Sequence, residues 1–414
     1  MGNVIIGQSG GPTAVINSSL AGAIKAAKIA GINKVYGMHY GIEGFLQGNI
    51  VDMDDYIIQM SDLSLLKRTP SAFLGSCRYK LPKIEDNEAV YERIFSILDE
   101  YDIEYFLYTG GNDSMDTIKQ LSIYAADHGK KQKFMGIPKT IDNDLPITDH
   151  TPGYGSAAKY IATAMKEIIR DNESFGASKP TVCIVEIMGR NAGWLTAASA
   201  LSCDADCDGP DLIYLPEIPF DMDSFMKTAI NLASWKKSVV IAVSEGIHLE
   251  DGTFVCELGD KPEYVDAFGH KNLTGCSRVL ANNISRATGL KTRAIEFSTI
   301  QRCATHMASR ADVDEAYNVG YIACQAAMNG ETGKMVTIRV VEREPYLVRY
   351  DLSDINEIAN LEKKFPLSWI TKEGTYVTED YLNYAKPLII GTLTPYYAGG
   401  IPKHMALKHK RRIQ

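Results

Sequence analysis

Asn3-Val4-Ile5-Ile6-Gly7-Gln8-Ser9-Gly10-Gly11-Pro12-Thr13 is a short branched apolar run that breaks into glycines and small polar residues. Behind it Ile16, Leu20, Ile24 and Ala27 fall on one face of a helix. A strand over Asn3 to Ile6, a tight glycine turn and a helix form the opening unit of an α/β protein. Glycines let the backbone approach an anion closely, and the helix N-terminus that follows directs free N–H groups and a partial positive charge at it. The loop lacks the Gly-Lys-Ser/Thr of a Walker loop, and Gly7-x-x-Gly10 does not fit GxGxxG. Alone it speaks for fold rather than function, because glycine turns end strands in any α/β protein.

The alternation continues along the chain. Strands are expected over Asn3 to Ile6, Glu104 to Tyr108, Lys133 to Ile137, Thr181 to Ile187, Asp211 to Leu215, Ser238 to Val243 and Met335 to Val341. Ile161, Met165, Ile168 and Ile169 lie at helical spacing between two of them and read as a buried stripe. No period of solenoid or propeller length is visible. Two more strand ends repeat the first turn with richer chemistry. Tyr108-Thr109-Gly110-Gly111-Asn112-Asp113-Ser114 opens a helix, and Lys133 to Ile137 leads into Pro138-Lys139-Thr140-Ile141-Asp142-Asn143-Asp144. A solvated turn accounts for some of a cation, a hydroxyl and two carboxylates, but hardly for all of them. At the carboxyl end of a strand, where open α/β sheets bind ligands, they suggest a polyphosphate and magnesium site with a candidate base.

The 414 residues are 45% apolar and 23% charged, proportions that exclude a disordered or fibrous chain. At this length two α/β domains are expected. With 43 Lys plus Arg against 51 Asp plus Glu the net charge is −8, which argues against nucleic acid as a partner. The basic tail with Lys403, Lys408, Lys410, Arg411 and Arg412, and its His404 and His409, reads as a solvated end. No apolar run approaches the roughly 18 residues of a membrane span. The N-terminus carries neither a signal sequence nor a myristoylation motif, so a cytoplasmic location is expected. The eight cysteines include no CxxC pair, and Cys203 and Cys207 have no nearby histidine, so reduced thiols are expected rather than a metal site.

Gly10-Gly11, Gly75-Ser76-x-Arg78, Gly110-Gly111-x-x-Ser114, Thr140-Ile141-Asp142-Asn143-Asp144, Met188-Gly189-Arg190, Glu245, Arg293 and Gln301-Arg302 follow one another at telling distances. In that order and spacing the chain resembles the phosphofructokinase family over roughly residues 1 to 345. The resemblance implies a phosphofructokinase-like fold of two Rossmann-like α/β lobes with largely parallel sheets. A pyrophosphate-binding lobe would take residues 1–153 plus about 301–345, a fructose 6-phosphate-binding lobe 154–300, and a C-terminal extension 346–414. The implied reaction is phosphoryl transfer to the 1-hydroxyl of fructose 6-phosphate in glycolysis, with Mg2+. By resemblance Asp142 would accept the hydroxyl proton, and Gly10, Gly11, Arg78, Gly111 and Ser114 would cradle the donor. Thr140, Ile141, Met188, Gly189, Arg190 and Glu245 would hold the sugar and the transferring group, and Asn143 would help fix the loop. Arg293 and Arg302 would clamp the 6-phosphate, since guanidinium binds phosphate bidentately. Asn112 and Asp144 would hold the metal.

ATP-using members have Gly-Gly-Asp-Gly-Ser and Pro-Gly-Thr-Ile-Asp, and here Asp113 replaces the last Gly of the first motif and Lys139 the Gly before Thr in the second, as in pyrophosphate-dependent members. A carboxylate at 113 adds bulk and negative charge where an α-phosphate would pass. Lys139 supplies a cation beside the bridging oxygen, where charge builds as orthophosphate leaves. The ATP-dependent reaction is the alternative, and a non-catalytic sugar-phosphate sensor a distant one. A dinucleotide-dependent dehydrogenase is disfavoured by the missing GxGxxG. Asn112 stands where many members have an Asp magnesium ligand, which leaves a water-mediated contact, Asp144 or pyrophosphate itself to carry the metal. Thr299 and Thr181 replace a His and a phosphate-binding Arg of ATP-dependent relatives. Lys80, Lys179, Tyr396 and Tyr397 are candidates to compensate. Pyrophosphate and orthophosphate lie closer in free energy than ATP and ADP, so a reversible step is expected, with weak or absent classical allostery. The resemblance further implies a homodimer or homotetramer in which Arg293 reaches a neighbouring subunit's active site.

Overall fold

The computed structural model describes residues 2–175, 179–259 and 275–407, so Lys408, His409, Lys410, Arg411 and Arg412 lie outside the described residues. Two compact α/β units are formed, one from Met1–Ser156, Arg302–Lys363 and Gly391–Gln414, the other from Ala157–Gln301 and Lys364–Ile390. The first holds strands β1 (Asn3–Gln8), β2 (Val35–Met38), β3 (Ile50–Asp52), β4 (Ile103–Gly110) and β5 (Lys133–Pro138). The second supplies β6 (Thr181–Ile187), β7 (Leu212–Tyr214), β8 (Ser238–Ser244) and β9 (Lys291–Glu296), and the chain then returns to the first for β10 (Lys334–Arg343) and β11 (Tyr346–Asp354).

In the first unit the sheet order is β11-β10-β5-β4-β1-β2-β3. The inner pairs are parallel, and β3 and β11 close the two edges antiparallel. Alternation along these strands decides which layer each residue joins. Val4, Ile6, Tyr105, Leu107, Met135, Ile137, Val336 and Ile338 pack under helices Ile16–Ile29 and Arg310–Met328. Ile5, Phe106, Tyr108, Phe134 and Met335 face helices Glu88–Glu100 and Asn112–Asp127 on the other side. Buried on both faces, such strands read as unbroken apolar runs. Helices Ile16–Ile29 and Arg310–Met328 approach through glycines, since a Cβ on Gly22 would lie 1.9 Å from the Tyr317 carbonyl oxygen and one on Gly320 1.9 Å from that of Ser19.

The second unit carries a parallel sheet in the order β7-β8-β6-β9. Residues 346–414, expected as one extension, are divided between the units. β11 covers the open edge of β10 with a full antiparallel ladder. Residues 364–390 then bring Phe365, Trp369 and Tyr384 against Trp194 at ring distances of 4.9, 5.9 and 5.4 Å, burying aromatic surface in the second unit. The last described stretch returns to the first, where Tyr396 lies 2.8 Å from the Ser64 hydroxyl and under the Arg68 guanidinium. Tyr396 is therefore engaged with Ser64 of helix Met60–Leu66 and with Arg68 just beyond it. Among the described residues no helix is long and apolar enough to cross a membrane.

Candidate active site

β1, β4 and β5 are parallel neighbours, with Gln8 opposite Thr109 and Gly110 opposite Pro138. Their three polar turns therefore leave the carboxyl edge of the sheet side by side. Backbone and side chains knit them together. Lys139 N–H donates to the Gly110 carbonyl at 3.1 Å, Gly10 N–H to that of Cys77 at 3.0 Å, and the Ser76 hydroxyl to that of Gly10 at 2.6 Å. The Lys139 Nζ donates to the Gly11 carbonyl at 2.7 Å. Gly10 has φ +73°, and a Cβ there would sit 3.2 Å from Lys139 Nζ; one on Gly11 would sit 3.3 Å from an Arg302 guanidinium nitrogen. The left-handed backbone at Gly10 favours glycine, and at both positions a cationic side chain lies close to the backbone.

Lys139 is buried. Loss of water lowers its pKa to about 8 against the attraction of Asp142 and Asp144, and Arg302 and Arg78 push the same way as burial. Solvent reaches the Asp142 side chain, yet protein crowds its carboxylate, and lost hydration raises the pKa against the opposing influences of Thr140, Lys139, Arg302 and Arg78. The Thr140 hydroxyl lies 3.2 Å from Asp142 Oδ2 and accepts the Asp142 N–H at 3.0 Å. Asp144 is raised to about 7 by burial and then by repulsion from Asp142. Ile141 and Asn143 are buried beneath this turn. The structure thus gathers Gly10, Gly11, Arg78, Lys139, Thr140, Asp142, Asp144 and Arg302 around one strand edge.

Gly111 precedes helix Asn112–Asp127, in whose first turn Asn112, Asp113 and Ser114 lie. Ser114 is buried against Gly110. Asp113 is exposed, and its carboxylate makes no hydrogen bond or ion pair among the described residues. Asn112 Oδ1 is buried without a hydrogen-bond partner, which is the state of an oxygen open to a cation or water. No group of three His, Cys, Asp or Glu side chains suited to a metal occurs among the described residues. The donors on offer are an amide oxygen and the Asp144 carboxylate, an all-oxygen set that fits a hard divalent ion retaining water and phosphate ligands.

In the second unit β6 and β8 run parallel with Ile187 opposite Ser244, so the residues after each strand emerge together. Met188 N–H donates to Gln301 Oε1 at 3.3 Å and Gly189 N–H to Glu245 Oε1 at 3.4 Å, while the Ser244 hydroxyl donates to the Gly189 carbonyl. A Cβ on Gly246 would lie 2.0 Å from the Arg190 carbonyl oxygen. Met188, Gly189, Arg190 and Glu245 are therefore one cluster. Arg293 is not part of it. It pairs with Cys183 in mid-strand, well before the strand end, and binds Asp171 with its guanidinium 4.4 Å from the Phe175 ring. Arg302 stands near Gly11 in the first unit. Within one chain the two arginines are thus apart, and the expectation for Arg293 concerned a neighbouring subunit's site.

A profile described as "Phosphofructokinase" matches residues 3–327. The chain belongs to the phosphofructokinase family. It is 41% identical over 416 residues to a pyrophosphate--fructose 6-phosphate 1-phosphotransferase of Halomonas elongata, covering 100% of this chain and 97% of that one. A relative of the same name from Methylococcus capsulatus is 39% identical, with 98% and 96% covered. A crystal structure of pyrophosphate-dependent phosphofructokinase from Nitrosospira multiformis superposes with a TM-score of 0.88 at 36% identity, over 98% of this chain and 96% of the other. Enzymes of the family are phosphoryl transferases that generally need a divalent metal. The family match stops inside helix Arg310–Met328 whereas these relatives align across the whole chain, so β10, β11 and residues 364–407 are shared with them.

Several buried or half-buried groups of this phosphofructokinase-family chain carried no signal in the sequence. Lys363 sits in Glu362-Lys363-Lys364, which reads as a solvated charge run, yet its Nζ reaches the Asp149 carbonyl at 2.8 Å. Asp312 accepts Gly153 and Ser156 N–H groups at 2.8 Å each, capping helix Tyr154–Glu173. His150 is buried, its Nδ1 3.0 Å from Asp149 Oδ1 and its Nε2 2.7 Å from Glu315 Oε2. Burial alone would lower its pKa, but the Glu315 charge and the hydrogen bonds to Asp149 and Glu315 outweigh this and raise it to about 9. A folded value above the unfolded ~6.5 contributes stability that is full below ~6.5 and lost as pH rises through about 9. The urea midpoint of the protein is therefore expected to fall between about pH 7 and pH 9.5. His150→Gln should flatten that slope and lower the midpoint near pH 6; an unchanged slope would place the pH dependence elsewhere.

Proposed function

We propose that this protein transfers the terminal phosphoryl group of pyrophosphate to the 1-hydroxyl of fructose 6-phosphate, giving fructose 1,6-bisphosphate and orthophosphate. The observation that carries the reading is Lys139, a buried cation held on the Gly11 carbonyl and beside Asp142 at the shared edge of three polar turns. The names of the full-length relatives point the same way. In the reaction the 1-hydroxyl oxygen bonds to the terminal phosphorus, the bond from that phosphorus to the bridging oxygen breaks, and the hydroxyl proton passes to Asp142. Its raised pKa suits a proton acceptor. Lys139 neutralises charge on the departing orthophosphate, and Gly10, Gly11, Arg78, Gly111 and Ser114 cradle the donor. Thr140, Ile141, Met188, Gly189, Arg190 and Glu245 orient the sugar, and Arg302 adds positive charge beside Gly11.

Asn112 Oδ1 and Asp144 are the residues that would hold Mg2+, which would supply charge neutralisation to the phosphate oxygens. Phosphoryl transfer asks chiefly for such positioning and charge, and little for covalent chemistry. Asp113 stands in the first turn of its helix with its carboxylate unengaged, which favours a donor ending short of an α-phosphate. A homodimer or homotetramer in the cytoplasm goes with this reading, Arg293 serving the neighbouring subunit's site. Its position on edge strand β9, lining a cavity of about 420 Å³ with Tyr160, Asp171 and Phe297, supports that role.

Initial rates with fructose 6-phosphate and each of pyrophosphate, ATP and ADP test the proposal. Fructose 1,6-bisphosphate is expected with pyrophosphate and at background levels with the nucleotides. Turnover with ATP alone would overturn the donor assignment. Sugar phosphate binding without turnover on any donor would favour a sensor instead.

A further inference from the structure

The turn after Asp142 is held in a costly shape. Asn143 has φ +55° and Ile147 φ +69°, a left-handed conformation that is uncommon for Asn and strained for a β-branched residue. Contacts must compensate, and many of them converge on one residue. Lys363 N–H donates to the Asp144 carbonyl at 2.6 Å. Its Nζ donates to the carbonyl of Asp149 at 2.8 Å, and reaches that of Thr148 and Asn143 Oδ1 at 3.4 Å each. One residue thus grips the turn at its start, at its end and at the amide inside it. Asn143 Oδ1 also accepts Thr151 N–H at 3.1 Å, and the Thr151 hydroxyl donates to the Thr140 carbonyl at 2.7 Å, so the grip is relayed to the residue that contacts Asp142. The far end is anchored on β10, where Asp149 N–H donates to the Ile338 carbonyl at 2.9 Å and Ile338 N–H to the Thr148 hydroxyl at 2.9 Å.

We propose that Lys363 is a positioning residue, which through the turn 143–149 fixes where Asp142 and Asp144 present their carboxylates. The proposal rests on the reading of Asp142 as the proton acceptor. The Lys363 ammonium is a shared donor for three acceptors that a methionine cannot serve; Asn143 Oδ1 would keep the Thr151 N–H, but the Thr148 and Asp149 carbonyls would lose the ammonium, and a buried acceptor that loses a donor relaxes or rehydrates. A displacement of about 1 Å at the reacting groups is enough to cost on the order of 10²-fold. The segment that supplies Lys363 follows β11, so the added strand brings this cation under a loop that the seven-stranded sheet positions from the other side.

Lys363→Met, Lys363→Gln and Lys363→Arg test it, in the full chain with pyrophosphate and fructose 6-phosphate. Lys363→Met is expected to lower kcat by roughly 10- to 100-fold with KM for the sugar phosphate within about threefold. Lys363→Arg, which keeps charge and donors, should restore most of kcat, and Lys363→Gln should fall between them and serves where methionine prevents folding. Hydrogen exchange of the free protein is the second readout. Amides of residues 143–151 should exchange faster in Lys363→Met and Lys363→Gln while those of β5 do not change. Variants that lose thermal stability but keep kcat, or whose exchange over 143–151 matches the wild type, overturn the proposal. Should the wild type turn over no donor, the functional reading fails, and exchange still decides whether Lys363 orders the turn.

Discussion

Asp142→Asn is expected to lower kcat with pyrophosphate by about 10²- to 10⁴-fold, the usual contribution of a positioned proton acceptor. Asparagine keeps the size of the side chain and can still meet the Thr140 hydroxyl, which stands 3.2 Å from Oδ2. What it loses is the ability to take a proton. The fold should tolerate the change, because hydration loss already disfavours the carboxylate at this position and the amide is free of that penalty. Lys139 will lose an attractive neighbour, so its pKa, already lowered to about 8, should fall further. KM for pyrophosphate is therefore expected to rise modestly while kcat carries most of the effect. Steady-state rates in both directions check this, since the equilibrium of the reaction fixes how forward and reverse losses relate. A loss smaller than tenfold in kcat would show that the hydroxyl proton goes elsewhere, and Asp144 would be the next residue to replace.

Legibility followed burial. The parallel strands β1, β4, β5, β6 and β8 were plain in the sequence because burial on both faces makes each an apolar run. β9 was not, since Lys291-Thr292-Arg293-Ala294-Ile295-Glu296 forms an edge with most side chains partly exposed. The short β2 and β3 have too few residues to show a period, and β11 alternates at an exposed edge. The site divides in the same way. Lys139, Asp142 and Asp144 follow a strand directly, so strand order places them. Arg302 and Arg293 stand nine residues apart with similar chemistry, and only the fold separates one beside Gly11 from the other beside Asp171. Lys363 and His150 take their meaning from partners distant in the chain, Asp149 and Glu315 among them, which local pattern does not reveal.

Combining Asp113→Gly with Lys139→Gly is expected to cut pyrophosphate turnover by about 10²- to 10³-fold, the scale of losing one charge partner of the transition state, and to make ATP turnover measurable. The two residues act at different points, so the single variants separate them. The Asp113 carboxylate makes no hydrogen bond or ion pair among the described residues, and its removal costs chiefly the interaction of a first-turn anion with the helix N-terminus and the entropy of a glycine, each roughly 1 kcal/mol or less. Asp113→Gly should therefore fold normally, keep most pyrophosphate activity and relax the exclusion of longer polyphosphates. Lys139→Gly removes a buried cation, strips the Gly11 carbonyl of its donor and leaves Asp142 and Asp144 repelling one another with less compensation. Pyrophosphate turnover should collapse in that variant, because orthophosphate departs carrying full charge. ATP depends on the cation less, its ADP leaving group being stabilised along a longer chain of phosphate contacts, but it also needs the space that Asp113 occupies. ATP turnover is thus expected in the double variant, weak in Asp113→Gly and absent in Lys139→Gly. Its appearance in Lys139→Gly alone would remove Asp113 as the steric and electrostatic gate, and its absence from all three would assign nucleotide exclusion to residues beyond these two turns.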